Sequence, residues 1–238
     1  MIGLSKSSIE TFKNCPRCFW LEKNGKIRRP DGLKASVLKG IDGGMKLVAE
    51  YSAETGEPAP YLAAFPGARP YSDRTRLKSF MNWRTFQAQV KAGKHVVLIW
   101  GEVDELIEWE DGRVSPWDFK SNGKKRDWVE YTMAYNTLQA DMYDLILPAQ
   151  GLITTGDAFF TYSWPIVVNG VMVFDFETVK IQAVRDRALE VIESAVDCLQ
   201  GDEPDENPSC EYCSYVTKRV DRVEKNTEKE KACRSKKA

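Results

Sequence analysis

Histidine is nearly absent. His95 is the single one in 238 residues, and its place at the start of an apolar run reads as structural rather than metal-ligating. No stretch is long and apolar enough for a transmembrane helix, and Met1-Ile2-Gly3-Leu4-Ser5 is no signal peptide, so the expectation is a soluble, cytoplasmic protein with no membrane partner. Net charge is also missing: Lys and Arg total 34 against 35 Asp and Glu, for a balance of -1. Bulk charge therefore argues neither for nor against nucleic acid, and any polyanion site must be a local patch. No internal repeat is visible. What is present fits one mixed α/β domain with a core of ordinary size: 42% hydrophobic residues, with seven Trp and ten Phe, too apolar and aromatic for a disordered chain.

The richest stretch runs from Gly101 to Ser121. Val96, Val97, Leu98, Ile99 and Trp100 lead into it as a strand expected to be buried on both faces. Asp111-Gly112 between two extended runs predicts a hairpin, with Val114 to Lys120 as the returning strand. Strand alternation puts Asp118 and Lys120 on one face with Phe119 on the other, and Asp104, on the neighbouring strand, reaches the same patch. Two carboxylates and a lysine are unfavourable to bury unless they bind a cation or each other. An Asp-x-Lys tripeptide by itself is common, however, and a cross-strand Asp/Lys pair on a wet face needs no function.

Elsewhere, Ser7-Ser8-Ile9-Glu10 reads as a capping box opening a short helix that Pro16 ends or kinks. The basic segment Lys23 to Lys34, with Lys26, Arg28 and Arg29, suits either phosphate contact or a solvated loop. Gly40-Ile41-Asp42-Gly43-Gly44 precedes a helical pattern from Met45 to about Tyr51, and local sequence makes Asp42 a cap for it. Gly56 to Tyr71 reads as an ordered loop or lid, and Ser72-Asp73 as the start of a helix reaching about Ala92. Trp128 to Ala149 reads as one long helix in which Gln139 and Tyr143 share a face. Asn169-Gly170 predicts a second hairpin, and Ile181 to Leu199 an amphipathic helix with Cys198 as a buried thiol. Thr217 to Ala238 is charge-alternating and reads as a frayed helix or disordered tail. Of six cysteines, four form the pairs Cys15-x-x-Cys18 and Cys210-x-x-Cys213, a thiolate set suited to metal more than to disulfides, with Cys233 alone further on.

Gly101-Glu102-Val103-Asp104, Asp118-Phe119-Lys120 and Gln139-Ala140-Asp141-Met142-Tyr143 together resemble the Gly-x-x-Asp, Asp/Glu-x-Lys and Gln-x-x-x-Tyr motifs of PD-(D/E)XK nucleases. Within that superfamily the order, and the opening Ser5-x-Ser7-x-Ile9-x-x-Phe12-x-x-Cys15-Pro16-Arg17, are similar to the RecB-type nucleases that include the CRISPR adaptation exonucleases. The resemblance implies a restriction-endonuclease-like α/β fold: a central mixed sheet flanked by helices, with a Cys-clamped helical subdomain made from the amino- and carboxy-terminal ends. It implies a single nuclease domain with a core of about 36–200, segments 1–35 and 201–216 joined by the four cysteines, and a tail over 217–238.

The activity implied is divalent-metal-dependent hydrolysis of DNA, on single strands or duplex ends, in recombination, repair or mobile-element and CRISPR processing. Asp104, Asp118 and the Phe119 carbonyl would hold Mg²⁺ or Mn²⁺. Lys120 would orient or deprotonate water or stabilise charge, and Gln139 and Tyr143 would contact substrate or support the lysine. The subgroup's metal-binding histidine before the hairpin is missing, and Asp42 would supply an oxygen ligand in its place. The analogy favours an iron–sulfur (4Fe–4S) cluster on Cys15, Cys18, Cys210 and Cys213, whereas their pairing into two knuckles is zinc-like. Two other functions are compatible with the chain: a catalytically inactive nucleic-acid-binding module with a degenerate metal site, and a metal-stapled interaction protein. The latter accounts for the cysteines but not for the hairpin.

Overall fold

The computed structural model describes residues 2–30 and 36–235, without the side chains of 37, 221, 224 and 227–235. Lys34 and the Cys233 side chain thus lie outside the described residues. In chain order the elements are β1 (Ile2–Ser5), α1 (Lys6–Asn14), α2 (Pro16–Lys23), α3 (Ser36–Thr55), β2 (Arg69–Pro70), α4 (Arg74–Phe80), β3 (Gln87–Ala92) and β4 (His95–Trp100). There follow β5 (Glu105–Glu108), β6 (Val114–Ser121), α5 (Trp128–Tyr135), α6 (Thr137–Ile146), β7 (Asp157–Val168), β8 (Val171–Gln182), α7 (Arg185–Gln200) and α8 (Glu211–Ser235). The fold is α/β, with two mixed sheets and eight α-helices among the described residues. The chain divides into two compact units, one from the described residues of Met1–Lys6 and Gly32–Glu193, the other from Ser7–Asp31 and Ser194–Ala238.

The first unit holds both sheets. One has the order β1-β4-β3, with β1 parallel to β4; the other has the order β2-β5-β6-β7-β8, with β6 parallel to β7 and the remaining pairs antiparallel. Alternation on β6 and β7 sorts their side chains onto two faces. Trp117, Phe119 and Phe159 join Met45 and Ala49 of α3 in one core, while Phe160, Tyr162 and Trp164 join Trp128 of α5 and Ala140 of α6 in the other. Burying each phenylalanine is worth roughly 1.5–3 kcal/mol, so β6 is held from both sides. Asp118 pairs in register with Phe160 and Lys120 with Tyr162, which assigns the two charged side chains to the α5–α6 face. Trp128 stacks on Tyr162 at 4.4 Å, and the Tyr162 hydroxyl meets Thr132 and Asn136, each at 2.7 Å.

Several local expectations change. Residues 2–5 form β1, so Ser7 and Ser8 lie inside α1 instead of capping it. Pro16 opens a second helix, with Cys15 as its N-cap, since proline's missing N–H is harmless at a first helical position. The Gly40–Gly44 segment is helical: α3 begins at Ser36, and Asp42 sits within it and caps nothing. Ile41, Met45 and Ala49, spaced by four, bury one stripe, and that burial outweighs the roughly 1 kcal/mol by which each interior glycine disfavours helix. The helix predicted to reach Ala92 stops at Phe80, capped at its start by Asp73. Beyond it, Ala88, Val90 and Ala92 take strand alternation in β3, joined to β4 through Gly93 at φ +56.

β4 is not buried on both faces, since Val96 is exposed, and it belongs to a different sheet from β5. Asp104 lies just ahead of β5, in the connecting loop. The long helix breaks at Asn136, whose buried amide turns to the Tyr162 hydroxyl. α7 starts at Arg185, because Ile181 still belongs to β8. Cys198 is half-buried, not buried, and the carboxy-terminal segment continues as α8 to Ser235. Asn169 and Gly170, with φ of 51 and 78, make the two-residue β7–β8 turn, as the dipeptide requires.

In the second unit, the Trp20 indole donates to the Gly201 carbonyl at 3.1 Å and the Asn24 amide to the Leu199 carbonyl at 3.0 Å. These bonds tie α2 to the end of α7.

An ion pair between a fully buried carboxylate and a half-buried guanidinium supports α6 from behind. Asp141 is 0% exposed and accepts two hydrogen bonds from Arg187, at 2.6 and 2.7 Å, and one from the Val184 amide at 2.7 Å. Removing one partner of such a pair strands the other charge. Arg187→Met is expected to lower unfolding free energy by about 3 kcal/mol, with Arg187→Lys restoring only part of it because lysine lacks the two-pronged geometry. Urea denaturation of the three proteins checks this.

Candidate active site

Four elements converge on one cluster in the first unit. β6 supplies Asp118 and Lys120, α6 supplies Gln139 and Tyr143, the loop before β5 supplies Asp104, and α3 supplies Asp42 and Lys46. Lys120 Nζ stands 2.5 Å from Asp118 Oδ2 and donates to Gln139 Oε1 at 3.0 Å. The Gln139 amide nitrogen donates both to Asp118 Oδ1 and to the Tyr143 hydroxyl, the latter at 2.7 Å. Tyr143 in turn donates to the Glu102 carbonyl at 2.5 Å. One amide thus fixes the lysine, the aspartate and the tyrosine together.

Asp104 sits at the other edge of this network. Its Oδ2 accepts the Phe119 amide at 3.1 Å, while its Oδ1 meets Lys46 Nζ at 2.7 Å. Lys46 also lies 3.1 Å from Asp42 Oδ2, one helical turn back. Sequence reasoning overlooked Lys46; the signal available was its i,i+4 spacing from Asp42, which places both on one helix face. The structure brings Asp42 to the cluster through that ammonium. Phe119 contributes its backbone here, while its ring packs on Trp117 and Tyr61 in the core on the opposite face.

The electrostatics follow from burial. Desolvation, and then the charge of Asp118, push the Asp104 carboxyl up to about 7 despite the opposing pull of Lys46. Burial works against the ammonium of Lys120, but Asp118 outweighs it and the net shift is upward. Lys46 behaves the same way beside Asp104 and Asp42. Burial, reinforced by Asp118 and Asp104, raises Tyr143 well above the ordinary phenol range, which keeps it a hydrogen-bond donor.

These residues suit a divalent cation. Asp118 Oδ2 is buried and accepts no hydrogen bond, its contact with Lys120 being an ion pair outside hydrogen-bond geometry. Asp104 and Asp118 repel one another in a desolvated place, and hard carboxylate oxygens match Mg²⁺ or Mn²⁺.

The second unit holds a different donor set. Cys15, Cys18, Cys210 and Cys213 are all buried, and their sulfurs all lie within 4.8 Å of one another. Cys15–Cys213, Cys18–Cys210 and Cys18–Cys213 are 3.6, 3.7 and 3.8 Å apart. Burial opposes charge at Cys210, yet the Cys213 backbone and the Cys18 and Cys15 thiols draw it down to about 7. Burial pushes Cys213 up to about 12.

Arg29 approaches this set, with Nη2 3.5 Å from Cys210 Sγ and its guanidinium 4.8 Å from the Tyr212 ring. Arg28 is exposed, and both arginines line a cleft of about 790 Å³ with Leu21, Ile27 and Val216. Lys26 donates to the Lys23 carbonyl at the end of α2 at 2.9 Å.

The family model described as the PD-(D/E)XK nuclease superfamily matches residues 51–217. No curated protein matches the sequence. Among solved structures, one described as "Crystal structure of SSO0001" is similar at 14% identity and TM-score 0.42, over 90% of this chain and 84% of that one.

With its carboxyl raised to about 7, folded Asp104 keeps a proton that the unfolded chain releases near pH 4. The fold therefore loses stability as pH rises through that window and levels off above it. Melting temperatures measured in chelator from about pH 4 to about pH 8 should fall across this range, and Asp104→Asn should flatten the decline.

Proposed function

The chain belongs to the PD-(D/E)XK nuclease superfamily, a group of phosphodiester hydrolases, and from that premise we propose that it cleaves DNA, on single strands or at duplex ends, with a divalent metal. The observation that carries this reading is the single network in which Gln139 joins Lys120, Asp118 and Tyr143 beside Asp104. Asp104 and Asp118, with the Phe119 carbonyl, are the ligands we assign to Mg²⁺ or Mn²⁺, and Asp42 is a further oxygen ligand once Lys46 gives way. Bound there, the cation supplies Lewis-acid neutralisation of the phosphate.

The protein's own groups do the rest. Lys120, held cationic by Asp118, faces the developing negative charge and orders the attacking water. Gln139 positions Lys120 and Asp118 without touching the reacting atoms. Tyr143 anchors Gln139 to the Glu102 carbonyl and remains protonated. The opening segment from Ser5 to Arg17 supports a RecB-type member. The two cysteine pairs depart from that subgroup's usual arrangement of one cysteine near the amino terminus and three at the other end.

Cleavage of labelled single- and double-stranded DNA with Mn²⁺, with and without chelator, tests the proposal. Activity should vanish in chelator. Asp104→Ala, Asp118→Ala and Lys120→Ala should each lower the rate by at least about 10²-fold while the proteins stay folded, and Asp42→Asn should raise the Mn²⁺ concentration required. Full activity in chelator would overturn the reading.

For the four cysteines we propose one zinc ion in a structural role. A tetrahedron with Zn–S near 2.3 Å has an edge of about 3.8 Å, which agrees with three of the six sulfur separations, 3.6, 3.7 and 3.8 Å, all six lying within 4.8 Å. A four-iron cluster ties each thiolate to a different iron and holds the sulfurs further apart. Arg29 offsets part of the thiolate charge. Purified protein should be colourless, with one zinc per chain by elemental analysis, and Cys18→Ser should lower its melting temperature markedly. Brown protein containing iron would favour the cluster.

A further inference from the structure

The loop that follows the catalytic strand carries three consecutive cations, Lys124, Lys125 and Arg126, all exposed. None of the three has an ion-pair partner among the described residues. The loop leaves β6 immediately after Lys120 and Ser121, and the Asn122 amide pins it to the Ser163 carbonyl of β7 at 2.8 Å. Its far end is fixed by Asp127, whose side chain accepts the Glu130 amide at 2.9 Å and caps α5. The capping carboxylate is thereby occupied at the helix end; the acidic residues nearby are Glu130, exposed in the first turn, and Asp175, the register partner of Trp164.

Two of these cations stand over aromatic rings. Lys125 Nζ is 5.5 Å from the centre of Trp164, and the Arg126 guanidinium is 5.2 Å from that of Tyr131. Tyr131 pairs with Tyr135 at 4.8 Å, and Tyr135 is 65% exposed. On its inner side Tyr131 meets Trp128 and Tyr162 edge-on, each at 6.0 Å. Tyr162 is the register partner of Lys120. A row of rings therefore runs from the neighbour of the catalytic lysine out to the surface, with the cations beside it.

An exposed Tyr135 and a half-buried Tyr131 beside three cations without ion-pair partners are poorly explained by solubility alone. They have the two components that bind an unpaired polynucleotide strand: charge for successive phosphates, and ring faces on which bases stack. A duplex could use the charge but not the rings, because its bases already stack on each other.

We propose that Lys124, Lys125 and Arg126, with Tyr131 and Tyr135, form the track that receives the single-stranded part of the substrate. The phosphates would lie along the loop, with a base on the Tyr131–Tyr135 pair. This rests on the reading of the protein as a deoxyribonuclease and narrows it to strands with unpaired bases.

Fluorescence anisotropy of the full chain with a labelled oligothymidylate, in chelator so that nothing is cut, tests the track apart from catalysis. Replacing all three cations, Lys124→Ala with Lys125→Ala and Arg126→Ala, should reduce the slope of log affinity against log salt by about 2, three phosphates at about 0.7 each. Tyr135→Ala should weaken single-strand binding by about tenfold and leave binding of a blunt duplex unchanged. All substituted positions are on the surface, so melting temperatures should match wild type.

An unaltered salt slope in the triple variant, or equal loss of single-strand and duplex binding in Tyr135→Ala, would overturn the proposal. So would a failure of wild type to bind the oligothymidylate at low salt. If these binding results hold but wild type cuts no DNA with Mn²⁺, the cleavage reading fails and the track stands.

Discussion

The candidate site depends on the orientation of one amide. Gln139 is buried, and its oxygen must face Lys120 because only the oxygen accepts a hydrogen bond. That leaves its nitrogen to serve Asp118 and Tyr143, which accept. A flipped amide would set an N–H against an ammonium and an oxygen against a carboxylate. The ion pair on β6 and the hydroxyl on α6 therefore select the same rotamer, and the glutamine passes that constraint between sheet and helix. Asp141, two residues along α6, has its own carboxylate locked by Arg187 and the Val184 amide, so the helix that carries Gln139 is anchored from its other side.

Charge is distributed in two different ways in the two units. In the first, buried carboxylates outpace their cations: Asp104 is raised to about 7 even with Lys46 at 2.7 Å. Such a place has room for more positive charge, and the helix α3 supplies one partly exposed unit of it in Lys46. In the second unit the surplus is of thiols, with Arg29 as the nearby cation. The same physical rule governs both: desolvated anions need a partner, and the chemistry of the donor atom decides whether a hard or a softer cation suits it.

How much of this was legible in the sequence depended on the range of the signal. Asp118 and Lys120 share a face because strands alternate, and Gln139 and Tyr143 because helices repeat near four, so short-range periodicity was enough to group them. The four cysteines were legible from pairing alone. Asp42 was harder, since three glycines within five residues imitate a loop, and only the buried stripe of Ile41, Met45 and Ala49 reveals the helix around it. The helix misread through residue 92 shows the converse: Leu77 and Phe80 are helical in spacing, but Ala88, Val90 and Ala92 fit a period of two equally well, and pairing with β4 decides. The break at Asn136 was invisible because its cause, the hydroxyl of Tyr162, is 26 residues away in the chain.

The placement of the two cysteine pairs has a consequence for synthesis. Their knuckles are separated by nearly the whole chain, from Cys18 to Cys210. At ribosomal rates of about 5–20 residues per second, the first pair waits roughly 10–40 seconds before the second exists. Throughout that interval the nuclease core can be emerging and folding while two thiols near the start of the chain stand unligated and open to oxidation or to the wrong metal. The second unit is thus completed only after the residues of the first unit that lie between its two segments have been made.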